Sequence, residues 1–394
     1  MRTTWRFSTS DEIIFGKGAA KQIGVEARLL NRFRAFVVTD ARLISAGVVE
    51  TIYKSLRNDD IACEIFEGGA PEPTTKIVED AAAQAAPFKP DLFIGLGGGS
   101  NMDVAKVASV LCSHGGLASD YFGENKIPAP SAPVFAVSTT AGTGSEVSAV
   151  AVLEDVSKQL KLAVASPFLR PTRAFVDPML TLSCPPKVTA ESGMDALTHA
   201  IEAYTILRFD ALNAPAEMRL QFSGKNPLCD VLAARAIQLI GANLRTAVFQ
   251  SMNVDAREAM HLAALMAGMA FSSAGLAAVH ALQYPIGAIT HTSHGLGNAL
   301  ILPYVVEFLL PSNPALFAEI AVWLGEEAKP ERCVDAIQKL KRDIGIPMKL
   351  RDIGIKESDL RSMAETAATY PRLLRNSARP LSVDAFEGIL RSGW

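Results

Sequence analysis

Six short runs rich in β-forming residues punctuate the first half of the chain: RAFVVTD (34–40), ACEIFEG (62–68), PDLFIGLGGG (90–99), PVFAVSTT (133–140), KLAVAS (161–166) and RAFVDP (173–178). Amphipathic or alanine-rich stretches at 41–57, 75–86 and 101–112 separate the earlier runs. Such alternation leaves few solutions, because parallel strands need crossover connections and the crossing helices cover both faces of the sheet. The expected class is therefore α/β, with a mostly parallel, Rossmann-like sheet. The opening TTWRFST…EIIFG is expected as an extra antiparallel hairpin at the sheet edge. From about residue 189 the pattern turns helical and stays so, with long stretches rich in Ala, Leu and Met. A chain of 394 residues exceeds one small core. We therefore expect two domains, an α/β domain at 1–185 and an all-helical domain at 186–394, with Pro185–Pro186 as the hinge. Residues 205–229 break the helical pattern and look like an insertion between helices.

Composition removes several function classes. The hydrophobic share of 49% and charged share of 20% are those of a globular protein. A net charge of −3 argues against a nucleic-acid surface and against a polybasic membrane patch. The five cysteines (63, 112, 184, 229, 333) form no CxxC pair, so reduced thiols are expected rather than a zinc cluster or a disulfide scaffold. MRTTWRFSTSDEIIFG has no apolar leader core, and no apolar run is expected to reach membrane-spanning length. The expected location is the cytoplasm.

DLFIGLGGGSNMDVAK is a strand running through Gly97, Gly98, Gly99 and Ser100 into a helix. Glycines let a pyrophosphate approach the backbone, and helix N-terminal amides supply donors. Asp103 is expected in the first turn of that helix. On local pattern alone, a flexible strand-to-helix turn explains the same residues. The order differs from the usual dinucleotide fingerprint, in which the acidic residue follows the glycines. Here the candidate, Asp40, precedes Gly97 by 57 positions, at the end of the first strong strand. Its carboxylate would accept from an adenosine ribose and repel a 2′-phosphate, favouring NAD, or it would simply cap the next helix. A second glycine-containing turn, VFAVSTTAGTGSEVS, offers Thr139, Thr140, Thr143 and Ser145 after another strand. Two such loops would converge at the carboxyl edge of one sheet, where α/β folds bind ligands.

In GMDALTHAIEAY, Asp195 and His199 are four apart and share a helix face. By itself this pair is a weak signal, and an ordinary surface contact is the commoner explanation of it. Three of the six histidines lie in HALQYPIGAITHTSHG, and His280 and His294 there could complete an Asp–His–His–His set. Imidazole and carboxylate ligands suit Fe(II) and Zn(II) alike.

Together, GGGSNMDVAK, STTAGTGSEVS, GMDALTHAIEAY, AGMAFSSAGLAAVHALQYPIGA and SHGLGNALILP resemble the iron-containing (group III) alcohol dehydrogenase family, colinearly from about residue 10 to the C-terminal ARPLSVDAFEGIL. The resemblance implies a dehydroquinate-synthase-like fold, NAD as cofactor, and a divalent metal, Fe(II) first and Zn(II) second, held by Asp195, His199, His280 and His294. It implies that the metal acts as a Lewis acid while hydride passes between an alcohol and the nicotinamide. It also implies cofactor contacts from Asp40, Gly97 to Ser100, Asp103, Thr139, Thr140, Ser145, Lys161 (near the nicotinamide ribose) and Leu180 (in a segment lining the cofactor cleft). His280, His294 and Tyr284 would stand next to the reacting atoms. His291 is not fixed as a ligand in the family, and His114 and His261 are expected to be structural. The expected partners are a small alcohol, aldehyde or hydroxy acid, and the expected assembly is a homo-oligomer, a dimer first.

The chain departs from the family pattern in places. Tyr284 stands where many members have a histidine assigned to proton transfer, and Glu72 where they often have asparagine. A phenol with an ordinary pKa near 10 is a poor base at neutrality. Tyr284 and the long 205–229 insertion are similar to the hydroxyacid–oxoacid transhydrogenase branch, so that activity is the first alternative. Arg208, Arg219 and Lys225 in the insertion would then be candidates to meet a carboxylate, although solvated surface charges explain them as well. A non-redox NAD-using lyase of the dehydroquinate synthase type would need an added lysine and arginine phosphate cluster that is not found. A metal-free maleylacetate-reductase-like enzyme is disfavoured by four filled ligand positions.

Overall fold

The computed structural model describes residues 2–155, 160–215 and 218–394, and it divides into two compact units, Thr9–Cys184 and Met1–Ser8 with Pro185–Trp394. In the first unit the strands are β1 (Glu12–Phe15), β2 (Arg34–Val38), β3 (Ala62–Phe66), β4 (Leu92–Gly97), β5 (Gly123–Glu124), β6 (Val134–Ser138), β7 (Val150–Asp155), β8 (Leu160–Ala165) and β9 (Arg173–Val176). Its helices are α1 (Ile23–Leu29), α2 (Ala41–Ser45), α3 (Val48–Asn58), α4 (Thr75–Phe88) and α5 (Gly99–His114). Six strands form one parallel sheet in the order β1-β9-β6-β4-β2-β3. The central strand β4, LFIGLG, is buried throughout, as expected of a strand covered on both faces. Two apolar clusters bury the faces, one around Phe36, Phe93 and Val107 and the other around Val37, Ile94 and Phe135.

Three expectations need correction here. Among the described residues no antiparallel hairpin precedes the sheet: β1 lies at its edge but pairs parallel with β9. Further upstream, residues that belong to the helical unit bond within it, with Ser8 N donating to Ser273 Oγ (3.2 Å) and Arg6 O accepting from Ser223 Oγ (3.4 Å). The run 161–166 forms β8, but in a separate three-stranded sheet, antiparallel to β7 and parallel to β5. Its partner β7, VAVLED, alternates intermediate and buried residues, the pattern of a strand with one face covered.

The second unit is helical among its described residues: α6 (Pro186–Thr205), α7 (Pro227–Phe249), α8 (Val254–Ala274), α9 (Ala278–Thr290), α10 (His294–Leu309), α11 (Pro314–Trp323), α12 (Pro330–Asp343), α13 (Leu360–Ala367), α14 (Pro371–Leu374) and α15 (Val383–Gly393). Pro185 and Pro186 start α6, where a missing N–H costs nothing. The insertion spans the gap between α6 and α7 and is tied by a bridge between Arg208 and Lys225; residues 216 and 217 lie outside the described residues. The third correction concerns apolar length. His294–Ser312 is long and apolar enough to cross a membrane, with mean hydropathy 1.3 over its window, yet 72% of that window is buried within the fold. It is a core helix packed on α6 and α9.

Candidate metal centre and dinucleotide loops

The metal candidates come from three helices of the second unit. Asp195 and His199 share a face of α6, His280 lies in the first turn of α9, and His294 is the first residue of α10. One ligand atom from each lies within 4.8 Å of all the others. Asp195 Oδ1 is 3.9 Å from the Nε2 atoms of both His199 and His294. The rings of His199 and His280 stack with centroids 4.9 Å apart, and Phe271 backs His199 at 4.4 Å.

Local structure explains why the side chains converge. Ser293 caps α10 by accepting from Leu296 N (3.2 Å) and donates its own hydroxyl to Glu191 Oε2 on α6 (2.6 Å), which places His294 against Asp195. Glu202 lies one turn beyond His199 and seven residues beyond Asp195, on the same face. Its carboxylate holds α9 by two contacts, Val279 N donating to Oε1 (2.7 Å) and His280 Nδ1 to Oε2 (2.5 Å). With its proton on Nδ1, His280 turns the Nε2 lone pair toward the other ligands. Burial pushes His280 down to about 4, so its ring is neutral, the form that ligates. Burial pushes Glu202 up, to about 7, against the amides that hold it. Burial also favours a neutral Asp195, but the three histidines and the Asn298 amide outweigh it and hold the carboxyl below its usual range.

Asn298 tests whether the set suits a cation. Its Nδ2 donates to Asp195 Oδ1 (2.8 Å) and lies 3.3 Å from His280 Nε2 and 3.1 Å from His294 Nε2. A donor meeting one carboxylate oxygen and two imidazole nitrogens marks three acceptors directed at one place. Three neutral imidazoles and one carboxylate are a donor set for Fe(II) or Zn(II), so the residues fit. Sequence reasoning did not pick out Glu202, Asn298 or the Ser293–Glu191 pair. The signal available for Glu202 was its place in an Asp–His–Glu series at i, i+4 and i+7 on one helix. His291 stands apart from this cluster: it is exposed, in the left-handed conformation (φ 52°) that ends α9. His114 binds Ala129 O through Nε2 (3.0 Å), and His261 is buried in α8. Tyr284 is buried one turn after His280, its ring edge-on to Tyr370 at 4.8 Å.

In the first unit the two polar loops lie side by side, because β4 and β6 are neighbours. Thr139 N donates to Gly97 O (3.0 Å). Gly97 adopts φ 148°, and a Cβ there would stand 2.2 Å from Asn101 Nδ2; at Gly99 it would press on Thr143 Cγ2 at 2.9 Å. Gly98 caps α5, and Ser100 Oγ donates to Pro71 O (2.5 Å). Thr139 is buried and Thr140 partly exposed beside Gly98, while Leu180 is buried in the short turn after β9. Asp40 caps α2 through Oδ1 (Arg42 N, 2.9 Å) and accepts from Asn101 Nδ2 through Oδ2 (3.0 Å).

Asp103 is the fifth residue of α5 and not in its first turn, because the helix begins at Gly99. Its carboxylate turns inward, accepting from Ser145 Oγ (2.7 Å) and Val152 N (2.9 Å), with Lys106 Nζ 3.5 Å away. Lys106 in turn donates to Ser145 Oγ (2.7 Å) and Val150 O (3.0 Å), a buried network that clamps the second loop onto α5. Burial pushes Asp103 up and Lys106 down, each opposing the other's shift by its charge. Lys161 is buried and ion-paired with Glu72 Oε2 at 2.5 Å, so two positions of interest in the sequence meet.

A parallel sheet with adjacent glycine-containing loops, and a helical unit with an Asp–His₃ cluster, are the equipment of a protein that uses a nucleotide and a metal ion. Comparison with known proteins gives the family. The profile described as iron-containing alcohol dehydrogenase matches residues 10–178, and that of the Fe-containing alcohol dehydrogenase family, C-terminal, matches 189–394. The chain is 35% identical to the NAD-dependent methanol dehydrogenase of Bacillus methanolicus over 361 residues, 90% of this chain and 91% of that one. It is 32% identical to the sulfoacetaldehyde reductase of Bilophila wadsworthia over 395 aligned positions, 98% of each chain. The solved structure of a 1,3-propanediol oxidoreductase superposes with TM-score 0.92 at 35% identity, covering 99% of this chain and 100% of the other. The chain belongs to the iron-containing alcohol dehydrogenase family, with its dehydroquinate-synthase-like fold and its NAD-linked interconversion of alcohols and carbonyl compounds.

Proposed function

We propose that this chain binds NAD through the loops at Gly97–Ser100 and Thr139–Ser145, holds one divalent metal ion through Asp195, His199, His280 and His294, and reduces a small aldehyde or oxidises the matching alcohol. The observation that carries this reading is the four-residue donor set with its ligand atoms within 4.8 Å of one another. A metal ion bound there supplies a Lewis acid for a substrate oxygen, and the nicotinamide supplies the hydride chemistry. The chain's own residues do the rest. Glu202 orients His280, Asn298 orients Asp195, and the α5 N-terminus offers amides to the pyrophosphate. Asp103, Lys106 and Ser145 bond to one another and brace the second loop from within, and Asp103 and Ser145 keep their assignment as cofactor contacts. The relatives' names span neutral substrates, methanol and propanediol, and an anionic one, sulfoacetaldehyde. Metal analysis of purified protein, followed by a panel of alcohols and aldehydes with NAD(H) and NADP(H), tests the reading. A metal-free protein with full activity would overturn it.

Asp40 supports a preference for NAD, because its carboxylate would oppose a 2′-phosphate by charge. Asp40→Gly should narrow the NAD/NADP ratio of kcat/KM about tenfold, or about 1.4 kcal/mol. Glycine is the suitable replacement because it also serves as an N-cap, at a cost of only a few tenths of a kcal/mol. A wild-type enzyme that prefers NADP would contradict this assignment.

To Tyr284, one turn after His280, we assign the orienting of the substrate or a water rather than the part of the base, because a phenol with an ordinary pKa near 10 is a poor base at neutrality. Tyr284→Phe should lower kcat by roughly tenfold and leave the pH optimum in place, whereas loss of an essential proton relay costs about 10²–10⁴-fold. A loss of the larger size with metal still bound would assign the proton transfer to Tyr284 itself. A pH–rate profile of both proteins separates the two outcomes.

A further inference from the structure

The insertion and the C-terminal segment meet beside the helix that carries His280. α14 packs on α9. Tyr370, just before α14, meets Tyr284 edge-on. Arg372, on the same short helix, lays its guanidinium carbon 4.9 Å above the ring of Phe222. Phe222 belongs to the 205–229 insertion and is buried; its Cβ lies 3.1 Å from where a Cβ on Gly275 would stand, at the turn leading into α9.

An aromatic face holds a guanidinium in place without neutralising it, because the ring offers a quadrupole and no formal anion. Among the described residues no carboxylate pairs with Arg372, which is half-buried. The cations that the insertion itself offers are placed differently. Arg208 is ion-paired with Asp210, Lys225 Nζ is 3.5 Å from Asp230 and 4.4 Å from the Tyr204 ring centroid, and Arg219 is exposed. Arg372 is thus a positive charge left without a carboxylate partner and aimed by a stack, next to the helix of the metal candidates. Its planar fork matches an oxyanion.

We propose that Arg372, seated on Phe222, binds an anionic group of the substrate, so that the site selects small hydroxy or oxo compounds bearing a carboxylate or sulfonate over neutral alcohols and aldehydes. The proposal rests on the oxidoreductase reading above and names its substrate class. It also gives the insertion a task, which is to supply the platform that aims the guanidinium. Lysine would not substitute fully, because a point charge on a flexible stem lacks both the fork and the stack.

The test uses metal-loaded protein with NADH and compares kcat/KM for succinic semialdehyde and sulfoacetaldehyde with that for butanal and propanal. Wild type should favour the anionic aldehydes by about tenfold or more, and that ratio should fall about 10- to 100-fold in Arg372→Met, mainly through KM. Arg372→Lys should recover part of the preference, and added salt should erode it. Whichever anionic aldehyde shows the larger wild-type value identifies the group. Metal content and circular dichroism matched to wild type establish that the variants fold. Wild type with no preference for the anionic aldehydes, or an unchanged ratio in a folded Arg372→Met, overturns the proposal while leaving the oxidoreductase reading intact. Failure of metal-loaded wild type to reduce any of the four aldehydes overturns both.

Discussion

Replacing His199 by alanine should remove bound metal and activity together while leaving the fold in place. The imidazole is one of four donors, and the remaining Asp195, His280 and His294 would hold an ion far less well. Losing the Lewis acid withdraws several kcal/mol of transition-state stabilisation, so kcat/KM should drop by about 10³-fold or more. The truncation also opens a gap between Phe271 and His280, which stack on either side of the ring. A cavity of this kind costs about 1–3 kcal/mol, enough to lower Tm by a few degrees without abolishing helicity. Elemental analysis, circular dichroism and steady-state kinetics on the same preparation check the prediction. A metal-depleted variant with full activity would show that the cluster has another purpose.

The second large effect is expected at Glu202, which need not touch the metal at all. Glu202→Gln keeps the shape of the side chain and an oxygen for Val279 N, but presents an NH₂ donor to His280 Nδ1 where a carboxylate now accepts. His280 would then carry its proton on Nε2, the atom that faces the other ligands, and could not ligate in that tautomer. Loss of such an orienting partner typically weakens metal binding about 10–100-fold. Chelator competition on wild type and variant measures this directly, apart from any effect on turnover. Equal metal affinity in the two proteins would remove Glu202 from the design of the site.

Much of this protein was legible before any coordinates. A strand buried on both faces is a short continuous apolar run, and FIGL between polar turns shows it without help from neighbours. The pair Asp195 and His199 was visible because i, i+4 spacing on a helix is itself a geometric statement. The parts that escaped the sequence are those whose partners lie far along the chain. The strand β7 alternates over only six residues, and β8 could not be assigned to its own sheet without the pairing. The opening segment looked like half of a hairpin, yet its hydrogen bonds go to Ser273 and Ser223, more than 200 residues away.

Spacing, glycine placement and apolar periodicity are local properties of a chain, and from them the sequence by itself determined the alternating sheet, the helical second half and a short list of residues able to hold a nucleotide and a metal ion. Whether a polar side chain faces a ligand or a neighbour is not local. Only the tertiary structure decided that Asp103, Lys106 and Ser145 close on one another, that Glu72 pairs with Lys161, and that Glu202 and Asn298 meet the histidine cluster. It likewise decided that, among the described residues, Arg372 stands beside α9 on the ring of Phe222 without a carboxylate partner. The physical reason is that a buried polar group must find its partner wherever packing brings one, and packing joins α6, α9 and α10 across about a hundred residues of sequence.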